Sequence, residues 1–168
     1  MKLSSSHSAA KTMTPKATVC VHGNIVNPEY PENIDEVSRK GWGTTFWGKE
    51  DTVNWFHIPL SVPNFLDGGR PKLTRIFLFF HNTSRSIINA LHIYDGPKLV
   101  KAFDSLRLAG DHARALHRAN TFTIETPSEI NFGLGLSVSV QFSASTDSSE
   151  PKPPRWILFT TAGAEFKI

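Results

Sequence analysis

Two short stretches of the chain concentrate side chains able to hold or transform a ligand. The first is Asn54-Trp55-Phe56-His57-Ile58-Pro59. In an extended strand Trp55 and His57 share one face while Phe56 and Ile58 share the other. The Phe56 face belongs to a core. The other sets an indole beside an imidazole, which puts flat apolar area next to a proton donor or acceptor and makes a floor for a ligand pocket. The second stretch alternates Ile87, Asn89, Leu91 and Ile93 with Ile88, Ala90, His92 and Tyr94, then runs into Asp95-Gly96-Pro97. If the two strands are neighbours, His57, His92, Tyr94 and Asp95 form a cluster in which Asp95 orients an imidazole for general acid or base work. The simpler alternative makes each histidine a hydrogen-bonded strand residue. Spacing alone does not decide between the two, nor whether the strands are adjacent.

Gly110-Asp111-His112 is a second candidate, because a loop presenting adjacent carboxylate and imidazole can hold a metal or a substrate hydroxyl. Asp111 equally reads as the cap of a short helical turn through His112 to His117. The run Gly41-Trp42-Gly43-Thr44-Thr45-Phe46-Trp47-Gly48 reads as a tight bend into a strand anchored by two indoles, where Trp42 or Trp47 either fills a core edge or meets a ligand. The 7 histidines and 15 carboxylates include no His-x-His, HExxH or paired Cys-x-x-Cys, so neither a metal nor another cofactor is expected. No Gly-x-Ser-x-Gly elbow is present, and Cys20, on a short apolar strand, reads as packed rather than activated. The glycines at 41/43 and 133/135 lack the lysine or the strand-to-helix setting of a phosphate cradle. Arg70, Lys72 and Arg75 precede Phe77, Phe79 and Phe80, whose pattern buries them away from any base, so nucleic acid is not an expected partner.

The elements that must position these residues are strands. Period-two alternation dominates from Thr18 onward and predicts strands over Thr18–His22, Gly43–Trp47, Val53–Leu60, Thr74–His81, Ile87–Tyr94, Leu99–Phe103, Thr121–Glu125, Ile130–Phe142 and Trp156–Thr160. Such a set suits an all-β antiparallel sandwich of jelly-roll type with little helix. Ile76 to Phe80 is apolar on both faces and reads as a central strand. The Ile130–Phe142 alternation exceeds the usual strand length of roughly 3 to 10 residues, so Gly133 and Gly135 are expected to mark a bend where one strand crosses sheets. Asn33 to Lys40, ending at Gly41, reads as a short helix.

A chain of 168 residues with one cysteine has enough length for a real core and no intramolecular disulfide. Residues 1–16 read as a disordered tail and 17–168 as a single domain, with a Ser- and Pro-rich mobile loop over 143–155. The net charge of +3 hides an imbalance. From Phe65 to Asn120 there are nine basic against four acidic side chains, and from Asn24 to Asp51 three against six. The first residues hold no apolar run long enough for a secretory signal, and none elsewhere would span a membrane, so a cytoplasmic protein with no membrane partner is expected. Asn82-Thr83-Ser84 matches a glycosylation acceptor that has no use in that compartment.

The ordered strings Gly41-Trp42-Gly43-Thr44, Asn54 to Pro59, His92 to Pro97, Gly110-Asp111-His112 and Phe132 to Val138 resemble a domain family of unknown function found in bacteria and fungi, made of small all-β proteins. The resemblance covers Ala17 to Phe166. It implies the fold and marks Trp55, His57, Asp95 and His112 as positions to test, without a role for any. Two functions are expected from the residues. One is a module binding a small organic molecule or a carbohydrate on an aromatic and histidine face, with Trp55, Tyr94, Trp42, Asp111 and His112 as ligand contacts. The other is a small cofactor-independent enzyme, an isomerase, cyclase or lyase, with His57, His92 and Asp95 as the catalytic set. Pairing of copies through an edge strand is a further expectation.

Overall fold

A computed structural model describes residues 16–62, 69–144 and 154–167. The segment read as a tail lies outside the described residues except for Lys16, which already belongs to the first strand, and residues 145–153 of the expected loop lie outside them too. The described residues form β1 (Lys16–His22), β2 (Asn27–Pro28), β3 (Ile34–Lys40), β4 (Gly43–Gly48), β5 (Thr52–Leu60), β6 (Lys72–Asn82), β7 (Ser86–Asp95), β8 (Lys98–Phe103), β9 (Gly110–Asp111), β10 (Thr121–Glu129), β11 (Leu134–Phe142) and β12 (Trp156–Lys167). Every strand expected from alternation is present. Helix is confined, among the described residues, to three single 3-10 turns.

Two antiparallel sheets result. Sheet A runs β10-β6-β12-β4-β3, with β1 also on β12 and β9 also on β6; sheet B runs β2-β5-β11-β7-β8. The pairings nest: β4 takes β12, β5 takes β11, β6 takes β10, and β7 takes β8. A long hairpin rolled up on itself gives that nesting, so the sandwich is a jelly roll. β6 is central, with β10 on one side and β12 on the other, as its two apolar faces require. Phe46, Phe56, Phe142 and Phe159, all fully buried, meet between the sheets, with the Phe46 and Phe56 rings 4.8 Å apart.

Several expectations are corrected. Asn33 to Lys40 is not a helix: Asn33 ends a 3-10 turn, and Ile34–Lys40 form edge strand β3. It hid because it buries little and carries Asp35, Glu36, Arg39 and Lys40, charges that also discourage pairing with another chain. No helix follows Asp111: its Oδ1 accepts from the Ala113 amide at 3.1 Å, closing a local turn only. The Ile130–Phe142 alternation does not cross sheets. Its strand begins at Leu134, and Gly133, at φ +145°, ends the turn before it. Cys20 is exposed rather than packed, because on β1 it shares the outward face with Thr18 and His22. Asn82 is 2% exposed, and its amide donates to the carbonyls of Ser86 and Leu108.

Candidate functional site

β5 and β7 are not direct neighbours, but β11 lies between them and pairs with both. Ser137 stands opposite His57 on one side and His92 on the other. Both histidines therefore rise from the outward face of sheet B, flanking one serine. Trp55, two residues before His57, and Tyr94, two after His92, join them by the same alternation. The Trp55 ring lies 4.9 Å from that of His92, which lies 6.5 Å from Tyr94. Together with Glu29 these residues line a shallow depression of about 280 Å³. Gly135, paired with both Pro59 and Tyr94, adds no side chain and leaves one end open.

Each histidine has its own carboxylate. His57 Nε2 lies 2.9 Å from Glu29 Oε2, and His92 Nε2 lies 2.7 Å from Asp104 Oδ1. An ionised carboxylate only accepts, so in both pairs Nε2–H donates. That fixes the other nitrogen of neutral His57 as an acceptor, and Ser137 Oγ, 3.0 Å from Nδ1, donates to it. Glu29 is placed by its own amide, which donates to the Trp55 carbonyl at 2.7 Å and continues the pairing of β2 with β5. Its carboxyl is held below the ordinary glutamate value, first by a hydrogen bond from the Tyr30 hydroxyl and, against the cost of burial, by His57. Tyr30 is raised in return, chiefly by that bond to Glu29. Glu29→Gln is therefore expected to return the Tyr30 phenol toward its usual value, a downward shift read by ultraviolet titration.

Asp95 does not belong to this cluster. Alternation turns it to the opposite face from His92 and Tyr94, where it is 3% exposed. Its carboxylate accepts from the amides of Asn131, Phe132 and Gly133 at 2.7 to 3.2 Å. Burial alone would raise its pKa, but those three amides outweigh the burial and hold it below the ordinary aspartate value. Its work is to tie the turn before β11 to the end of β7. The alternation of β7 is also not continuous: the register slips between Ser139 and Val140, with Ala90 and Ile88 opposite. The bulge at Asn89 lets Ile88, Leu91 and Ile93 all face the core while His92 and Tyr94 face out.

The other candidates lie elsewhere. Trp42 and Asp111 line a separate cleft on the outward face of sheet A. His112 is not in it: its ring stacks on His117 at 5.2 Å and leans on Phe80, with Nε2 donating to the Ala109 carbonyl at 3.3 Å. Among the described residues no group of three His, Cys, Asp or Glu side chains could hold a metal ion, and no helix is long and apolar enough to cross a membrane. Glu29, Asp104 and Ser137 were not singled out from the sequence. Only Ser137 had a signal there, its place on the polar side of the β11 alternation.

Ser137, His57 and Glu29 have the order of nucleophile, base and orienting acid. β11 is paired on both sides, however, so its amides are committed to the ladder and cannot also stabilise an oxyanion beside Ser137. What the depression does offer is two aromatic surfaces and a ring of fixed donors and acceptors.

A solved structure described as TmCBM61 in complex with beta-1,4-galactotriose is similar to this chain with a TM-score of 0.40 and 14% sequence identity, covering 87% of this chain and 92% of that one. No curated protein sequence matches. The model of a family of unknown function, DUF6623, matches residues 14–152, and the chain belongs to that family.

Proposed function

We propose that the protein is a binding module that holds a small polar organic molecule, specifically a sugar unit, on the outward face of sheet B. The observation that carries this reading is the convergence of Trp55, His57, His92, Tyr94 and Ser137 on one depression, from three adjacent strands. A sugar ring has an apolar C–H face that packs on indole and an edge of hydroxyls that needs both donors and acceptors. Trp55 supplies the first, and Glu29, His57, Ser137 and Tyr94 supply the second. The two imidazole–carboxylate pairs keep the rings in place before any ligand arrives, which lowers the ordering cost of binding. A volume of about 280 Å³ suits one or two sugar rings.

Calorimetric and amide-shift titrations with glucose, galactose and their β-1,4-linked disaccharides test the proposal. Trp55→Ala is expected to weaken binding at least about tenfold while leaving the fold intact, because the indole lies on the outer face. Absence of any response in the unmodified protein, or an undiminished response in Trp55→Ala, would sink it. The Ser137–His57–Glu29 chain favours one second reading, a cofactor-independent enzyme using histidine acid/base chemistry. His57→Ala separates the two: a modest loss of affinity supports the binder, and a loss of about two to four orders of magnitude in a rate supports the enzyme.

A further inference from the structure

The second cleft, about 380 Å³, opens on the outward face of sheet A, away from the depression on sheet B. Its floor is β12 at Leu158, Thr160 and Thr161, where that strand changes partners. β4 pairs with it as far as Phe159, and β1 from Thr161 onward. Thr160 falls in the resulting slip between β12 and β6. Breaks of this kind recur beside binding sites because they re-aim side chains.

The rim is built around that break. Gly23, just after β1, and Gly43, which opens β4, both press on the Phe159 carbonyl so closely that a Cβ on either would overlap it. Their approach carries the β3–β4 turn over the cleft and leaves Trp42, at its tip, 64% exposed. His22 braces the turn: its Nδ1 accepts from the Asn24 amide at 3.2 Å, which leaves Nε2–H to donate to the Gly41 carbonyl at 3.2 Å. The opposite wall is equally tied. The Thr160 hydroxyl donates to the Ala113 carbonyl at 3.1 Å, fixing the backbone beside Arg114. Buried Asn120 donates to the carbonyls of His112 and Ala115 at 3.0 and 2.9 Å, so the loop bearing Arg114 is held from within.

The charges select a ligand class. His22, with Nδ1 an acceptor and Nε2 a donor, is in the arrangement of a neutral ring. Asp111 gives one oxygen to the Ala113 amide and sets the other 4.0 Å from His81 Nδ1. Arg114 is the permanent cation in the cleft. One guanidinium beside one carboxylate suits a ligand with a single negative charge among hydroxyls, and disfavours a doubly charged phosphate. We propose that this cleft is a second ligand site that takes a saccharide unit bearing one carboxylate, its ring on Trp42, its carboxylate on Arg114 and its hydroxyls on Asp111 and Thr161.

The full chain, observed through its backbone amides, would be titrated with methyl glucuronide, methyl glucoside, inorganic phosphate and adenosine monophosphate. The glucuronide is expected to shift Trp42, Thr160 and Thr161, and to bind there at least about tenfold more tightly than the glucoside. Arg114→Gln should abolish that preference, and Trp42→Ala should abolish binding at these amides. Both side chains are exposed, so both variants should fold. Trp55→Ala should change nothing here, which keeps this test separate from that of the sheet B site. Equal binding of glucuronide and glucoside, tighter binding of either phosphate compound, or shifts confined to the Trp55 face would each overturn the proposal.

Discussion

Asp95→Ala is expected to destabilise the protein by about 2–4 kcal/mol, because three amides lose one charged acceptor at once. The side chain is 3% exposed and is the shared partner of Asn131, Phe132 and Gly133. Next to it the Gly96 amide donates to the Gly133 carbonyl at 2.9 Å, and Leu134 pairs with Asp95 itself. Without the carboxylate, the turn loses its anchor at the point where the β7–β11 register begins. That register carries His92, Tyr94 and Ser137, so the loss should also loosen the sheet B site indirectly. Urea unfolding measures the first effect, and amide exchange at Leu134 to Ser137 the second.

The same carboxylate gives the prediction a pH signature. Its folded pKa lies below the ordinary aspartate value, whereas in the unfolded chain it returns to about 3.9. The ionised form is thus bound more strongly by the fold. Its contribution is present above about pH 4 and is lost as pH falls from there through the folded value. The stability gap between the unmodified protein and Asp95→Ala should therefore shrink under acid. Asp95→Asn, with no charge and one acceptor oxygen, should fall between them at neutral pH and show the same flattened acid limb. A gap that stays constant into acid would mean that packing rather than charge is what Asp95 supplies.

Asp95 also shows how far the sequence could be read. Its position next to His92 and Tyr94 suggested a catalytic partner, yet the period-two rule that puts 92 and 94 on one face sends 95 to the other. That correction was legible in the alternation itself. The meeting of His57 and His92 was not, because it depends on β11 slotting between β5 and β7, a long-range pairing with no local signal. Their true carboxylates were hidden for related reasons. Glu29 reaches His57 only through the pairing of β2 with β5, and Asp104 lies just past the end of β8, where the chain folds back beside His92. Strands were legible wherever one face is buried and one is wet. β3, an edge strand with charges on most of its positions, has no such contrast and so resembled a helix.

Gly43→Ala is expected to have the largest effect of any single methyl addition outside the core, about 3–5 kcal/mol. Two separate penalties act there. The backbone sits at φ +148°, a conformation L side chains rarely adopt, and the added Cβ would overlap the Phe159 carbonyl. That carbonyl belongs to β12, which is paired on both sides at this point, with Thr44 across from Phe159 on one and Phe80 on the other. It cannot swing aside as a flexible side chain would, so relief must come from lifting β4 away from the sheet. Two controls separate the penalties. Gly133 has φ +145° but open space around its Cβ direction, so Gly133→Ala should show the conformational cost alone, about 1–2 kcal/mol. Gly41 has neither a positive φ nor a close neighbour, so Gly41→Ala should stay within about 0.5 kcal/mol of the unmodified protein. The melting temperature should fall in the order Gly41→Ala, Gly133→Ala, Gly43→Ala, with roughly 2–4 °C lost per kcal/mol in a chain of this size. Because Trp42 is carried on the turn that Gly43 anchors, only the last of the three should also alter the environment of the Trp42 indole. Equal losses for Gly133→Ala and Gly43→Ala would show that the close approach to Phe159 adds nothing, and that the rim of the sheet A cleft is held by the turn alone.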